Sequence, residues 1–314
     1  MIAFVFPGQG AQHVGMGVAM AEQFPQARRV FDEASAALDL DLLALCRDGP
    51  EEVLRETEHT QPALLTCSWA IATVVIAHGI APQCAAGLSL GEYTALVAAR
   101  ALDLADAVRV VRIRGRYMQD AVTGRPTAMA AVLGLEASAV EEVCREAGSL
   151  VELANINAPG QVVIAGDRAA VEAACARLKL RGARRAVPLA VSAPFHTSLM
   201  QAAADRLAPV LAAVPLRDAA IPVVANATAE PVREAATIRR LLIAQIASPV
   251  RWEQCVRRLH ALGATTFVEA GPGTTLAGLI RRTLPGVQVL SVQTPADLEA
   301  ARAALAGPVG DARR

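Results

Sequence analysis

The chain predicts an α/β fold, a large domain on a mostly parallel sheet interrupted by a small unit of different pattern. Three observations carry that expectation. Hydrophobic residues make up 54% of the 314 positions and are rich in Ala, Val and Leu, which suits central strands covered on both faces by helices. Short apolar runs bounded by glycine turns alternate with segments of helical period, early in the chain and again from residue 221. Between residues 128 and 191 the order changes to βα-ββ-αβ. A chain of this length can bury a substantial core, as one domain or as one with an insert.

Taken in order, residues 2–6 read as a strand stopped by the turn Pro7-Gly8-Gln9-Gly10. Helices with an apolar stripe are expected over residues 16–38 and 61–78. Small residues from 83 to 88 lead into Ser89, and residues 92–99 and 104–122 read as helices, the second carrying Arg112, Arg114 and Arg116. Residues 128–135 read as a strand, and Ser138 opens a helix with Glu141 in capping-box position. Strands over 151–156 and 161–165 are joined by a hairpin turn at Asn157-Ala158-Pro159-Gly160. A helix over 167–180 and a strand over 186–191 then close a split βαβ, or ferredoxin-like, unit. The expected boundaries are 126–191 for this insert, with 1–125 and 192–314 forming the large domain. Alternation resumes with a strand at 221–225, helices at 237–246 and 252–262, and a strand at 266–269. The turn Gly271-Pro272-Gly273 and a further helix follow, and residues 307–314 are expected to fray.

Composition excludes several function classes. Thirty basic residues balance thirty acidic ones, so no net field recruits nucleic acid or an anionic membrane. Cys46, Cys67, Cys84, Cys144, Cys175 and Cys255 are scattered, with no CxxC and no histidine at metal spacing. They read as buried thiols of a reducing compartment, and no metal is expected. The N-terminus has no basic n-region or cleavage site, so it is not a signal peptide. Apolar runs such as 63–77 read as too short, and too interrupted by Thr and Ser, to span a bilayer. A cytoplasmic protein with no membrane partner is expected.

The strongest local chemical signal is Gly87-Leu88-Ser89-Leu90-Gly91, a GxSxG between a strand and a helix. A nucleophile elbow needs small residues beside a serine held on a strained turn, with the strand before it and the helix after. The helix start places the Leu90 N–H beside Ser89 and aims a dipole at any oxyanion formed there. A serine nucleophile needs a base. Among His13, His59, His78, His196 and His260, His196 stands out, because it lies in the loop Ser192-Ala193-Pro194-Phe195-His196 beyond a strand end, where α/β proteins build sites. His260 reads as part of a solvated helix face. The turn Pro7–Gly10 offers unpaired backbone N–H groups as a second oxyanion donor.

The chain carries a series of motifs in order: Phe6-Pro7-Gly8-Gln9-Gly10, Thr60-Gln61-Pro62-Ala63, Gly87-Leu88-Ser89-Leu90-Gly91-Glu92-Tyr93, Arg114-Gly115 with Met118-Gln119, and Asn155-Ile156-Asn157-Ala158-Pro159-Gly160-Gln161. Pro194-Phe195-His196, Gln245 with Pro249-Val250 and Trp252, and Glu269-Ala270-Gly271-Pro272-Gly273 follow. Over essentially its whole length the chain resembles the malonyl-CoA:acyl carrier protein transacylases of bacterial fatty-acid synthesis and the related acyltransferase domains of polyketide synthases. The resemblance implies an α/β-hydrolase-like large domain and a ping-pong reaction. Malonyl-CoA acylates Ser89, and the phosphopantetheine thiol of an acyl carrier protein takes the acyl group. It implies that His196 is the base, that Gln9 and Leu90 supply the oxyanion N–H groups, and that Arg114 grips the malonyl carboxylate. It also implies that a main-chain carbonyl at Gln245 orients His196, and that Gln61, Phe195 and Asn155 lie at the pocket. Phe195 resembles malonyl-selective members, its bulk crowding a 2-methyl branch. Leu88 stands where many relatives have His, and Thr274 where basic residues are common. No cofactor beyond the partner's phosphopantetheine and no nucleic acid is implied, and a monomer is expected.

Two other readings remain at this stage. A plain serine hydrolase or acyl-thioester hydrolase would use the same elbow, but a carboxylate clamp at Arg114 hinders a neutral chain, and only His260 could serve as a late histidine. A non-enzymatic docking module would be free to lose Ser89, His196 or Arg114, and all three are intact. The carrier could serve fatty-acid synthesis, polyketide synthesis or malonate decarboxylation.

Overall fold

Ile2–Phe6 forms strand β1, with four of its five residues buried, as a strand covered on both faces requires. The computed structural model describes residues 1–147, 150–189 and 193–306. The single helix expected over 16–38 is two, α1 (Val18–Gln23) and α2 (Pro25–Leu38). Pro25 pushes Phe24 into an extended conformation and sits at the first position of α2, where its missing N–H costs nothing. Two short helices absent from the sequence reading follow, α3 (Leu42–Asp48) and α4 (Glu51–Arg55), then α5 (Thr57–Ala77). At 21 residues α5 is, by length and composition, long and apolar enough to cross a membrane, which corrects the shorter run read at 63–77. Fifteen of its residues are buried inside the protein, and that burial accounts for its composition.

Strand β2 (Cys84–Gly87), helix α6 (Gly91–Ala98) and helix α7 (Leu104–Asp120) follow, with α7 packed on α5 and α2. The next elements are β3 (Thr127–Leu133), α8 (Ala137–Glu146), β4 (Val151–Ala158), β5 (Gln161–Asp167), α9 (Arg168–Leu180) and β6 (Arg185–Pro188). The strands form an antiparallel sheet in the order β4-β5-β3-β6, the ferredoxin-like arrangement. The capping box at Ser138 is not formed, because α8 starts one residue earlier and no side chain caps it. The hairpin strands run longer than expected, leaving Pro159 and Gly160 alone between them.

The chain then supplies α10 (Gln201–Ala213), β7 (Val223–Val224), β8 (Pro231–Val232), α11 (Ala235–Ile246), α12 (Trp252–Ala261), β9 (Thr266–Ala270), α13 (Thr275–Thr283), β10 (Gln288–Val292) and α14 (Pro295–Ala306). The larger sheet has the order β10-β9-β1-β2-β7-β8, parallel in every pair except β7 with β8. Its two faces are covered by separate apolar clusters, one rich in residues of α2, α5 and α7, the other in residues of α12 and α13. β1 and β2 are neighbours in parallel, so the turns that follow them leave the sheet at the same end of its strands. The last residues of the strand read at 186–191, the 191/192 boundary, Ser192 and the tail 307–314 lie outside the described residues.

Candidate active site

Ser89 stands between the end of β2 and the start of α6 with φ 54°, a left-handed conformation that a serine adopts only under constraint. The flanking glycines make the turn possible. A Cβ on Gly87 would lie 1.9 Å from the Gly91 backbone, and one on Gly91 would lie 2.2 Å from the Phe6 carbonyl oxygen. Asn226, from the loop after β7, clasps the turn on both sides. Its Oδ1 accepts the Ser89 N–H at 2.6 Å and its Nδ2 donates to the Gly87 carbonyl at 2.8 Å.

His196 also has positive φ, 63°, and is buried. Its Nδ1–H donates to the Gln245 main-chain carbonyl at 2.9 Å, which leaves Nε2 to accept from the Ser89 hydroxyl at 2.7 Å. This is the arrangement of a nucleophile and its base, with a peptide carbonyl in the orienting place. Burial, and then the Arg114 charge, push the imidazole down to about 3, against the pull of the Gln245 carbonyl. The ring is therefore neutral near pH 7 and free to take a proton. The loop that carries it is braced from the smaller sheet, where Glu152 of β4 accepts the Ser198 N–H at 2.9 Å.

Of the four arginines on α7, Arg109, Arg112, Arg114 and Arg116, helical period turns only Arg114 inward. It is 1% exposed. Nη1 donates to Gln61 Oε1 at 2.9 Å, and Nη2 donates to Gln245 Oε1 at 2.9 Å and to Ser89 Oγ at 3.1 Å. The guanidinium lies 5.6 Å from the Tyr93 ring centroid, and among the described residues no carboxylate pairs with it. A buried cation is costly without a partner, so its position beside the serine leaves it open to an incoming anion. Arg112 instead donates to the Leu38 carbonyl, and Arg116 pairs with Glu58 at the surface.

Gln9, Gln61, Ser89, Leu90, Arg114, Asn155, Phe195 and His196 all line one cavity of about 220 Å³. A wider cleft of about 720 Å³ shares Gln9, Leu189 and Phe195 with it. Gln9 and Leu90 follow β1 and β2, and among the described residues neither backbone N–H has a protein acceptor. Asn155 is placed by a shift of register in β4 and by a bridge to Val250, where the Ile156 N–H reaches the Val250 carbonyl at 2.8 Å. Gln245 stands behind the cavity and acts through both its main chain and its side chain. His260 is remote from all of this, exposed in the last turn of α12, with Nδ1 donating to the Ala264 carbonyl.

The sequence reading gave no role to Asn226, to Glu92 or to the Gln245 amide. Glu92 is buried, accepts from the Asn226 N–H at 2.9 Å and from Gln245 Nε2 at 2.8 Å, and is pushed up by burial to about 7. The available signal was a carboxylate in an otherwise apolar helix and an asparagine flanked by alanines.

Known proteins resemble the chain over nearly its whole length. Residues 3–307 match the family described as Acyl transferase domain. The malonyl CoA-acyl carrier protein transacylase of Bacillus subtilis (strain 168) is 47% identical over 303 residues, covering 96% of each chain. The 1.7 Å crystal structure of an acyl carrier protein S-malonyltransferase from Vibrio cholerae superposes with TM-score 0.93 at 44% identity, covering 96% of this chain and 99% of that one. A malonyl-transacylase solved in complex with its type II PKS acyl-carrier protein also gives TM-score 0.93 at 44% identity, covering 96% of this chain and 98% of that one.

Proposed function

The chain belongs to the malonyl CoA-acyl carrier protein transacylase family, and from that premise we propose that it moves malonyl from coenzyme A, through Ser89, to the thiol of an acyl carrier protein. The observation that carries this reading is Arg114, a buried guanidinium held by two amide oxygens, unpaired with any described carboxylate, and 3.1 Å from the nucleophile. A planar fork of this kind grips a carboxylate through two parallel bonds.

In the first half-reaction His196 Nε2 takes the Ser89 hydroxyl proton while Oγ attacks the thioester carbonyl. The Gln9 and Leu90 N–H groups receive the oxyanion. The intermediate collapses, the C–S bond breaks, and the departing thiolate takes the proton from His196. In the second half-reaction the carrier thiol gives its proton to His196, its sulfur attacks the acyl-serine carbonyl, and Ser89 leaves with that proton. Burial does most to hold the imidazole down, and pairing of the malonyl carboxylate with Arg114 offsets the second cause, the guanidinium charge, so the base strengthens when a carboxylated acyl group is seated. Phe195 at the cavity wall narrows the room for a 2-methyl branch.

The reaction as written needs no metal or redox cofactor. Six free thiols fit a cytoplasmic protein, residues 126–191 act as an inserted subdomain, and the working unit is a monomer. The test is intact-mass spectrometry after brief exposure to malonyl-CoA. One malonyl mass is expected on the peptide holding Ser89 and none in Ser89→Ala. An adduct on another residue, or one that survives in the variant, would sink the reading.

A further inference from the structure

Behind Ser89, on residues that do not line the cavity, lies a second polar layer. Gln245 is its hub. Its Nε2 donates to the Ser89 carbonyl at 3.0 Å and to Glu92 Oε2 at 2.8 Å, which uses both amide protons. Its Oε1 faces Arg114 and its main-chain carbonyl holds His196. Turned over, the amide would present N–H groups to the guanidinium, donor against donor, and would leave Glu92 and the Ser89 carbonyl without their partner. Glu92, the Ser89 carbonyl and Arg114 together decide which way the amide faces. Through the Asn226 N–H, the same carboxyl oxygen also braces the side chain that clasps the elbow.

We propose that Glu92, working through Gln245 and Asn226, is a positioning residue that sets where Arg114, His196 and Ser89 stand relative to one another. It touches no substrate. The proposal rests on the reading of Ser89 as the acylated residue.

The layer also makes the site sensitive to pH. Arg114 on α7, Cys255 on α12 and Tyr93 on α6 are the charged or titratable groups in electrostatic contact with Glu92. Burial pushes the thiol and the phenol up, so both stay neutral near pH 7, and the guanidinium stays charged. His196 is pushed down to about 3. Glu92, at about 7, is the member of this set that changes charge there. When ionised it accepts both hydrogen bonds in their stronger, charge-assisted form, so its grip on the amide tightens as pH rises.

The experiment follows Ser89 labelling by a fluorophosphonate, and loading from malonyl-CoA and acetyl-CoA, between about pH 5.5 and 8.5 in wild type and Glu92→Gln. The variant keeps the shape and an acceptor oxygen but cannot ionise. Wild-type labelling should rise severalfold through neutrality. In Glu92→Gln the rise should vanish, malonyl loading should fall roughly tenfold, and acetyl loading should fall less. An unchanged rise with an unchanged malonyl-to-acetyl ratio in the variant overturns the proposal. So does a flat wild-type profile, which needs no variant to fold. Wild-type labelling by the phosphonate without any malonyl loading would instead overturn the transferase reading and leave the pH comparison standing.

Discussion

On the outer side of α7, Arg116 is exposed and pairs with Glu58 at 2.8 Å, whereas on the inner side Arg114 is buried and meets only amide and hydroxyl oxygens. The same contrast runs through the molecule. Its ion pairs, such as Arg28–Asp32 and Arg257–Glu253, belong to the surface, while the groups around Ser89 are buried and carry shifted protonation. Water already satisfies a surface charge, so pairing adds little there. A buried charge with no carboxylate in direct contact costs stability, and the fold tolerates that cost where the charge awaits a ligand.

The contrast can be broken or sharpened by measurement. His196→Ala should lower malonyl transfer by about 10²–10⁴-fold with the circular dichroism spectrum unchanged, the usual worth of a positioned base. Normal rates there, with His260→Ala inactive, would return the site to the plain hydrolase arrangement. Arg114→Ala should cut malonyl loading by roughly a hundredfold and raise acetyl loading, because an acetyl group brings no carboxylate to leave unpaired. Arg114→Lys should fall short of wild type, since a point charge does not reproduce the fork. A malonyl-to-acetyl ratio that barely moves would make Arg114 a structural residue.

Stability should follow the buried base. The His196 imidazole is held well below its ordinary 6.5 in the folded protein, so the unfolded chain binds its proton first as pH falls. The contribution is fully present above pH 6.5 and is lost as pH drops toward 3. In urea titrations, wild type should lose about 1 kcal/mol per pH unit more than His196→Ala over the upper part of that window. Parallel curves would show that the imidazole is not held neutral by the fold. Arg116→Ala should move stability by less than about 1 kcal/mol and leave the malonyl-to-acetyl ratio alone. The smallest expected effect is that of a chelator, which should leave the transfer rate unchanged.

Local sterics made part of the site legible before any fold was known. The elbow at 87–91 could be read because Gly87 is needed within the turn itself, although Gly91 answers to the Phe6 carbonyl at the end of β1. The break at Pro25 was equally local and readable, and the long-stripe reading overrode it. The partner of Asn226 could not be read, because the side chain reaches Ser89 across 137 residues and its alanine neighbours mark the residue without saying what it meets. The same holds for the Gln245 amide, 153 residues from Glu92.

Sequence by itself determined the α/β class, the ferredoxin-like interruption, the elbow and, through resemblance, the acyl-transfer chemistry, because each depends on short-range pattern or on motifs in fixed order. Tertiary structure alone decided that Arg114 would lie buried beside Ser89 without a carboxylate while Arg116 met one in solvent. It also decided that Glu92, a residue of the elbow's own helix, would face away from the cavity and hold the amide behind it. Which way a side chain points follows from its helix, but what it meets there is set by the packing of distant segments, and that packing sets its charge.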